Sequence, residues 1–147
     1  GSFGDAAKGQ AISKRMYDGG ADIVFHAAGG TGQGLFTEAI AQKKSGNDVW
    51  AIGVDRDQYD EGKVDDKTNI VMTSVLKRVD VAAQDMIKRS ADGDFPGGET
   101  VTYGLKDDGV GLADSHGAIS DKTQKEVDAA KEDIIAGKIE VPEQPEK

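Results

Sequence analysis

The stretch Ala21-Asp-Ile-Val-Phe-His-Ala-Ala28, running straight into Gly29-Gly-Thr-Gly-Gln-Gly34, decides how the rest of the chain is read. Its first half is a short apolar run, continuous rather than alternating, the pattern of a parallel strand buried on both faces. Its second half is a tight glycine loop. The loop leads into Leu35–Lys44, where Leu35, Phe36, Ala39 and Ile40 fall at helical spacing. Val49–Asp55 (VWAIGVD) supplies the next buried strand and ends in an acid.

The same alternation extends in both directions. Upstream, Ala6–Asp18 reads as a helix with Ala7, Ala11, Ile12 and Met16 on its apolar face, stopped by Gly19-Gly20. Downstream, the polar Arg56–Asn69 segment reads as a surface loop and Ile70–Val75 as a third strand. A helix follows from about Arg78 to Arg89, with Val79, Ala82, Ala83, Met86 and Ile87 as its apolar face. Asp92–Glu99 is a turn-rich break, Thr100–Leu105 a strand, and Lys106–Gly111 a glycine and aspartate turn. Ser120 caps a last helix to about Ala136, with Val127, Ala130 and Ile134 as its buried stripe and Gly137 beyond it. Ile139–Lys147 reads as a short strand that frays. Strands separated by helices predict an α/β fold, a Rossmann-like parallel sheet flanked by helices. The opening helix has no strand before it, as expected of a piece of a longer protein; Gly1-Ser2 reads as a possible cloning scar.

Composition narrows the function. The 147 residues fit one compact domain. The 20 glycines are about twice the usual share and carry no G-X-Y period, so they serve turns and loops. A net charge of −9 argues against nucleic acid and against an anionic membrane surface. No apolar run reaches the roughly 20 residues needed to span a bilayer. Without cysteine there is no thiol metal site, disulfide or cysteine nucleophile, and the compartment is unreadable. Asp57, Asp60, Glu61, Asp65 and Asp66 lack the spacing of a calcium loop and read as a solvated acidic segment. No Ser–His–Asp order or paired-carboxylate pattern stands out, so a hydrolase has no visible machinery; no catalytic residue, metal or cofactor is assigned.

Ligands of open α/β sheets bind beyond the carboxyl ends of the strands, where the glycine loop and Asp55 both fall. Backbone N–H groups of a loop without bulk can approach a ligand oxygen closely. Asp55 lies about 20 residues past the last glycine, and a carboxylate there can accept two hydrogen bonds from a vicinal diol such as that of ribose. The dinucleotide fingerprint G-x-G-x-x-G nevertheless fails in each register: from Gly30 the last position is Leu35, from Gly32 it is Thr37, and from Gly29 the second position is Thr31. No G-K-[ST] follows either. From the residues alone the glycines also fit a plain tight turn, and Asp55 a solvated strand end. His26 reads as a packed core histidine. Phe3 fits either core or a base-stacking platform, and Lys77 either ordinary surface or a partner for Asp55 or a ligand.

Five strings, in order along the chain, carry a resemblance. They are Gly1-Ser2-Phe3-x-Asp5-x-x-Lys8-Gly9, Ala27-Ala28-Gly29-Gly30-Thr31-Gly32, Ile52-Gly53-Val54-Asp55-x-Asp57-Gln58, Thr73-Ser74-Val75-Leu76-Lys77-Arg78-Val79-Asp80, and Tyr103-Gly104-Leu105-Lys106-x-x-Gly109-Val110-Gly111-Leu112. Together with Ile139-Glu140-Val141-Pro142 they resemble the basic membrane protein family, whose best-known members are purine nucleoside receptor lipoproteins of ABC importers. The resemblance implies a two-lobed, type I periplasmic-binding-protein fold, of which residues 1–147 are the C-terminal portion. Residues 70–99 are expected to cross to the missing N-terminal lobe, with possible dimerisation or strand exchange where that leaves apolar surface bare. Residue by residue, it implies that Asp55 holds the ribose hydroxyls, that Gly29 and Gly30 let backbone approach the sugar, that Lys77 reaches the ligand from the hinge side, and that Phe3 contacts it from the cleft wall. The implied partners are a purine nucleoside and ABC permease subunits. The implied location is extracytoplasmic, on a lipid anchor lying upstream. A nucleotide-cofactor domain of an NAD-dependent dehydrogenase is the alternative, and a sugar-sensing effector domain of a regulator a third reading.

Overall fold

Parallel pairing organises the first part of the chain. The computed structural model describes residues 2–142 and 144. Helix α1 (Ala6–Asp18) precedes β1 (Ile23–Phe25), and a 3-10 turn at Gly29–Gly32 feeds α2 (Gln33–Lys44). Then come β2 (Trp50–Asp55), a 3-10 turn at Tyr59–Gly62, β3 (Val71–Lys77), α3 (Val79–Ala91), a 3-10 turn at Leu105–Asp107, β4 (Val110–Leu112) and α4 (Asp121–Ile135). The sheet order is β1-β2-β3-β4, with β1 parallel to β2 and β2 parallel to β3. Two compact units result: residues 2–77 with 112–118, and residues 78–111 with 119 onward. Among the described residues no helix is long and apolar enough to cross a membrane.

The first unit holds the core, built from Tyr17, Val24, Leu35, Phe36, Ala39, Val49, Ala51, Ile70 and Val71. Helix α2 faces it with Leu35, Phe36 and Ala39, as the sequence predicts. Helix α1 does not use its predicted face. Ala7, Ala11 and Met16 are exposed, and the buried stripe is Gly9, Ser13 and Tyr17. Glycine decides this. A Cβ on Gly34 would overlap the Ala6 carbonyl and the Gln10 amide, and one on Gly9 would overlap the Thr31 carbonyl, so α1 packs backbone-close against α2 and the glycine loop. Ser13 Oγ donates to the Gly9 carbonyl (2.9 Å) and Tyr17 to that of Trp50 (2.8 Å), which satisfies the polar groups on that stripe.

Strand β1 is shorter than the predicted Ala21–Ala28 and is not buried on both faces. Alternation turns Val24 and His26 inward, while Ile23 and Phe25 point out and are exposed. The Arg56–Asn69 loop is more ordered than predicted, with the 3-10 turn and an antiparallel bridge between Lys63 and Asn69. Its acids make turns: Asp57 accepts from the Tyr59 N–H (3.0 Å) and Asp65 from that of Lys67 (2.8 Å). Residues 112–118 return beside β3, where the Ala113 N–H donates to the Ser74 carbonyl (2.9 Å) and the Thr73 hydroxyl to that of Ala113 (2.8 Å).

In the second unit Ser120 caps α4 by accepting from the Thr123 N–H (3.2 Å), and Gly137 at φ 71° follows its end, both as predicted. No residue of α3 or α4 is buried; Val127, Ala130 and Ile134 are only half covered. The predicted strand Thr100–Leu105 does not form. Tyr103 instead anchors to α3 by donating to Asp85 (2.7 Å), packs where Gly109 leaves room, and the chain turns at Gly104–Asp108 before β4. The predicted terminal strand is absent over 139–142; its other residues lie largely outside those described.

Candidate ligand site at the strand ends

Beyond the C-terminal ends of β1 and β2 lies an open depression of about 270 Å³, walled by Gly29, Gly30, His26, Gln33, Asp55 and Gln58 among others. Gly29 adopts φ 53°, a left-handed conformation that suits glycine, and it turns the chain from strand into loop. The segment before α1 is strapped across this loop. The Thr31 N–H donates to the Phe3 carbonyl (3.0 Å), the Thr31 hydroxyl donates to the Ser2 carbonyl (2.6 Å) and accepts from the Asp5 N–H (2.9 Å). The Phe3 ring therefore stands beside Gly29 and is 76% exposed.

Asp55 closes β2 in an unusual way. Its φ is 71°, and the Arg56 N–H donates back to the Val54 carbonyl (2.9 Å), which makes a γ-turn of the strained hand centred on Asp55. Aspartate tolerates this region better than most residues, but it still stores strain. The β2–β3 register sets Asp55 opposite Leu76, so that Lys77, one residue further, reaches across and places its Nζ 2.8 Å from Asp55 Oδ1.

The five residues singled out from the sequence thus fall into two groups. Phe3, Gly29 and Gly30 form one, Asp55 and Lys77 the other, and the depression joins them through Gly29, Gly30 and Asp55. Phe3 and Lys77 flank the depression without lining it.

Sequence reasoning assigned no role to the polar network beneath Asp55. Gln58, 6% exposed, accepts the Val54 N–H at Oε1 (2.8 Å) and donates from Nε2 to Glu61 Oε2 (2.7 Å). Its own N–H donates to Ser74 Oγ (3.1 Å). Glu61 also accepts from Gln33 Nε2 (2.8 Å) and pairs with Arg56 (2.5 Å). Burial pushes the Glu61 carboxyl up, but the donors Gln33 and Gln58 and the Arg56 cation outweigh it and hold its pKa below the usual value. The signal in the sequence was Gly53, a glycine inside a strand. A Cβ there would press on Ser74 Oγ and Gln58 Oε1, and such glycines mark close approach.

His26 is buried, as predicted, edge-on to Phe36 with ring centroids 5.3 Å apart. Gly32 lies close against its ring, leaving no room for a Cβ. Neither ring nitrogen meets a hydrogen-bond partner among the described residues. Burial drives its pKa below the ordinary histidine value, against the opposing pull of nearby Gln58, Asp55 and Glu61, so the ring is neutral at pH 7.

Known proteins resemble this chain in sequence and in fold. The family described as ABC transporter substrate-binding protein PnrA-like matches residues 1–145. The CD4+ T-cell-stimulating antigen of Listeria monocytogenes is 49% identical over 149 residues, covering 97% of this chain and 42% of its own length. The ABC transporter nucleoside-binding protein BmpA of Lactococcus lactis is 46% identical over 151 residues, with the same coverage of 97% and 42%. A solved ABC transporter solute-binding protein from Aeropyrum pernix K1 superposes with a TM-score of 0.79 at 27% identity, over 98% of this chain and 47% of that one. The chain therefore spans less than half the length of these relatives. The family consists of substrate-binding proteins rather than enzymes, which sets aside the dehydrogenase alternative. The chain belongs to the PnrA-like family of ABC transporter substrate-binding proteins.

Proposed function

We propose that this chain is the C-terminal part of the solute-capturing component of an ABC importer, and that its ligand is a purine nucleoside read through its ribose. The observation that carries this reading is the strained, ion-paired Asp55 beside the bare Gly29–Gly30 backbone, in one depression at the strand ends. A carboxylate held there accepts both hydroxyls of a vicinal diol, and Lys77 opposite it donates to the carboxylate or to a sugar oxygen. Gly29 and Gly30 admit the sugar close to the main chain, and the exposed Phe3 ring offers an apolar platform. The name of the Lactococcus relative, a nucleoside-binding protein, supports the ligand class. No bond is made or broken. The ligand is captured as two lobes close and is handed to a permease.

The other lobe lies upstream in this reading, along with a lipid anchor that holds the protein outside the cytoplasm. The break into a second unit at Arg78 and the uncovered α3 support a crossing to that lobe from residue 78 onward, whereas residues 70–77 stay with the first unit, where β3 pairs with β2. Expressed alone, the 147-residue chain would then associate through Val79, Ala83 and Met86 on α3; a strict monomer at high concentration by light scattering counts against this. The functional test is calorimetry on the longer protein with guanosine, inosine, 2′-deoxyguanosine and NAD. Tight ribonucleoside binding that weakens with the deoxy sugar and with Asp55→Ala is expected. NAD binding without nucleoside binding overturns the reading.

A further inference from the structure

We infer that Gln58 is the positioning residue for Asp55, the group on which discrimination of the sugar depends; this rests on the reading of Asp55 as the diol acceptor. Asp55 does not hold its own conformation. Its side chain is 53% exposed and pairs with a still more open lysine, while its backbone sits at φ 71°. A strained residue persists only where its surroundings over-determine it. Here both flanks of the turn are tied to one polar network: Val54 before it through Gln58, and Arg56 after it through Glu61.

The chemistry of position 58 is restrictive. The side chain must accept from the Val54 N–H and donate to the Glu61 carboxylate at once. A primary amide does both. An ionised carboxylate would face Glu61 with like charge and no donor, and an aliphatic chain would leave the buried Val54 N–H without a partner. The slot is equally restrictive, since Gly53 leaves the space that Gln58 and the fully buried Ser74 hydroxyl fill. The network therefore reads as a bracket whose product is the direction of the Asp55 carboxylate.

Gln58→Glu provides the decisive test, because a protonated carboxyl again carries one donor and one acceptor. The charged and titratable groups around it are His26 just after β1, Asp55 on β2, Arg56, Asp57 and Glu61 in the following loop, and Lys77 on β3, paired with Asp55. In the longer protein, affinity for guanosine relative to 2′-deoxyguanosine is measured at pH 8 and pH 5.5 for wild type, Gln58→Glu and Gln58→Leu. The expectation is that Gln58→Leu loses at least about tenfold in this ratio at both pH values, the scale of one hydrogen bond to a charged group. Gln58→Glu should lose it at pH 8 and recover it at pH 5.5. A ratio unchanged in both variants overturns the proposal, as does a crystal structure of Gln58→Leu, or of Gln58→Glu grown at pH 8, with Asp55 still at its wild-type φ. If Gln58→Leu fails to fold, the pH comparison on Gln58→Glu decides alone. A wild type with no preference for the diol overturns the reading of Asp55 instead, and the crystal structures then judge the bracket by itself.

Discussion

Lys77 Nζ stands 2.8 Å from Asp55 Oδ1, across the ends of two neighbouring parallel strands, and both side chains are more than half open to solvent. Exposed pairs of this kind contribute about 0–1 kcal/mol to stability. Asp55 meanwhile occupies a backbone region that costs of order 1–3 kcal/mol. The arrangement therefore does not stabilise the fold on balance. A costly turn beside an ion pair of little structural worth fits the ligand site proposed for this strand end.

Replacing the cation separates the two roles. Lys77→Met should change the unfolding free energy by less than about 1 kcal/mol in urea titrations. The same substitution in the longer protein should weaken ribonucleoside binding by about tenfold or more. Unchanged affinity would remove Lys77 from the site.

The strain at Asp55 is measurable by two truncations. Both Asp55→Ala and Asp55→Gly remove the carboxylate and its ion pair. Alanine also carries a Cβ into the left-handed region, at a cost of roughly 1–2 kcal/mol. Asp55→Gly should therefore unfold at a higher urea concentration than Asp55→Ala, with neither showing diol preference. The reverse order of stability would mean that the turn relaxes freely.

Gly32 makes the sharpest packing prediction. A Cβ there would occupy the space of the His26 ring, so Gly32→Ala should destabilise by about 1–3 kcal/mol, as overpacking does. Adding His26→Ala to Gly32→Ala should return part of that loss. A double-mutant cycle on chemical denaturation checks it, and full additivity would show that the two residues do not press on each other.

His26 also sets a pH dependence. Its folded pKa lies below its unfolded value of about 6.5. Below that pH the unfolded chain takes up a proton that the folded ring refuses, so stability is full above about pH 6.5 and falls as pH drops toward the folded pKa. His26→Phe keeps a planar ring and cannot titrate. Its melting temperature should fall less than that of the wild type between pH 7.5 and pH 5.5, and parallel curves would exclude a role for this histidine.

What the sequence made legible was local and what it hid was tertiary. The strand, glycine loop and helix around Ala21–Lys44 announce themselves because periodicity and glycine act within a few residues. So do the bounds of α1 and the Ser120 cap. The face of α1 was misread because hydrophobicity pointed to Met16, whereas the packing was decided by two glycines, Gly9 and Gly34, on different helices. Val110–Leu112 was hidden among turn residues, and Thr100–Leu105 looked like a strand although Tyr103 is committed to Asp85. Of the candidates named from their strings, Gly29, Gly30 and Asp55 line the depression, and Phe3 and Lys77 flank it. The bracket could not be named that way, because Gln58, Glu61, Gln33 and Ser74 meet only once helix α2, the loop after β2 and strand β3 are brought together.

Contacts between main chains have no rotamers through which to yield. At Gly9 and Gly34, where α1, the glycine loop and α2 come backbone-close, the facing atoms are mostly carbonyls and amides. A push on the rim of the depression therefore has no soft joint nearby to absorb it. The rim and the helices behind it must travel together, like the lip of a cup with its wall. Selection acting on either glycine helix is thus also selection on the shape of the mouth.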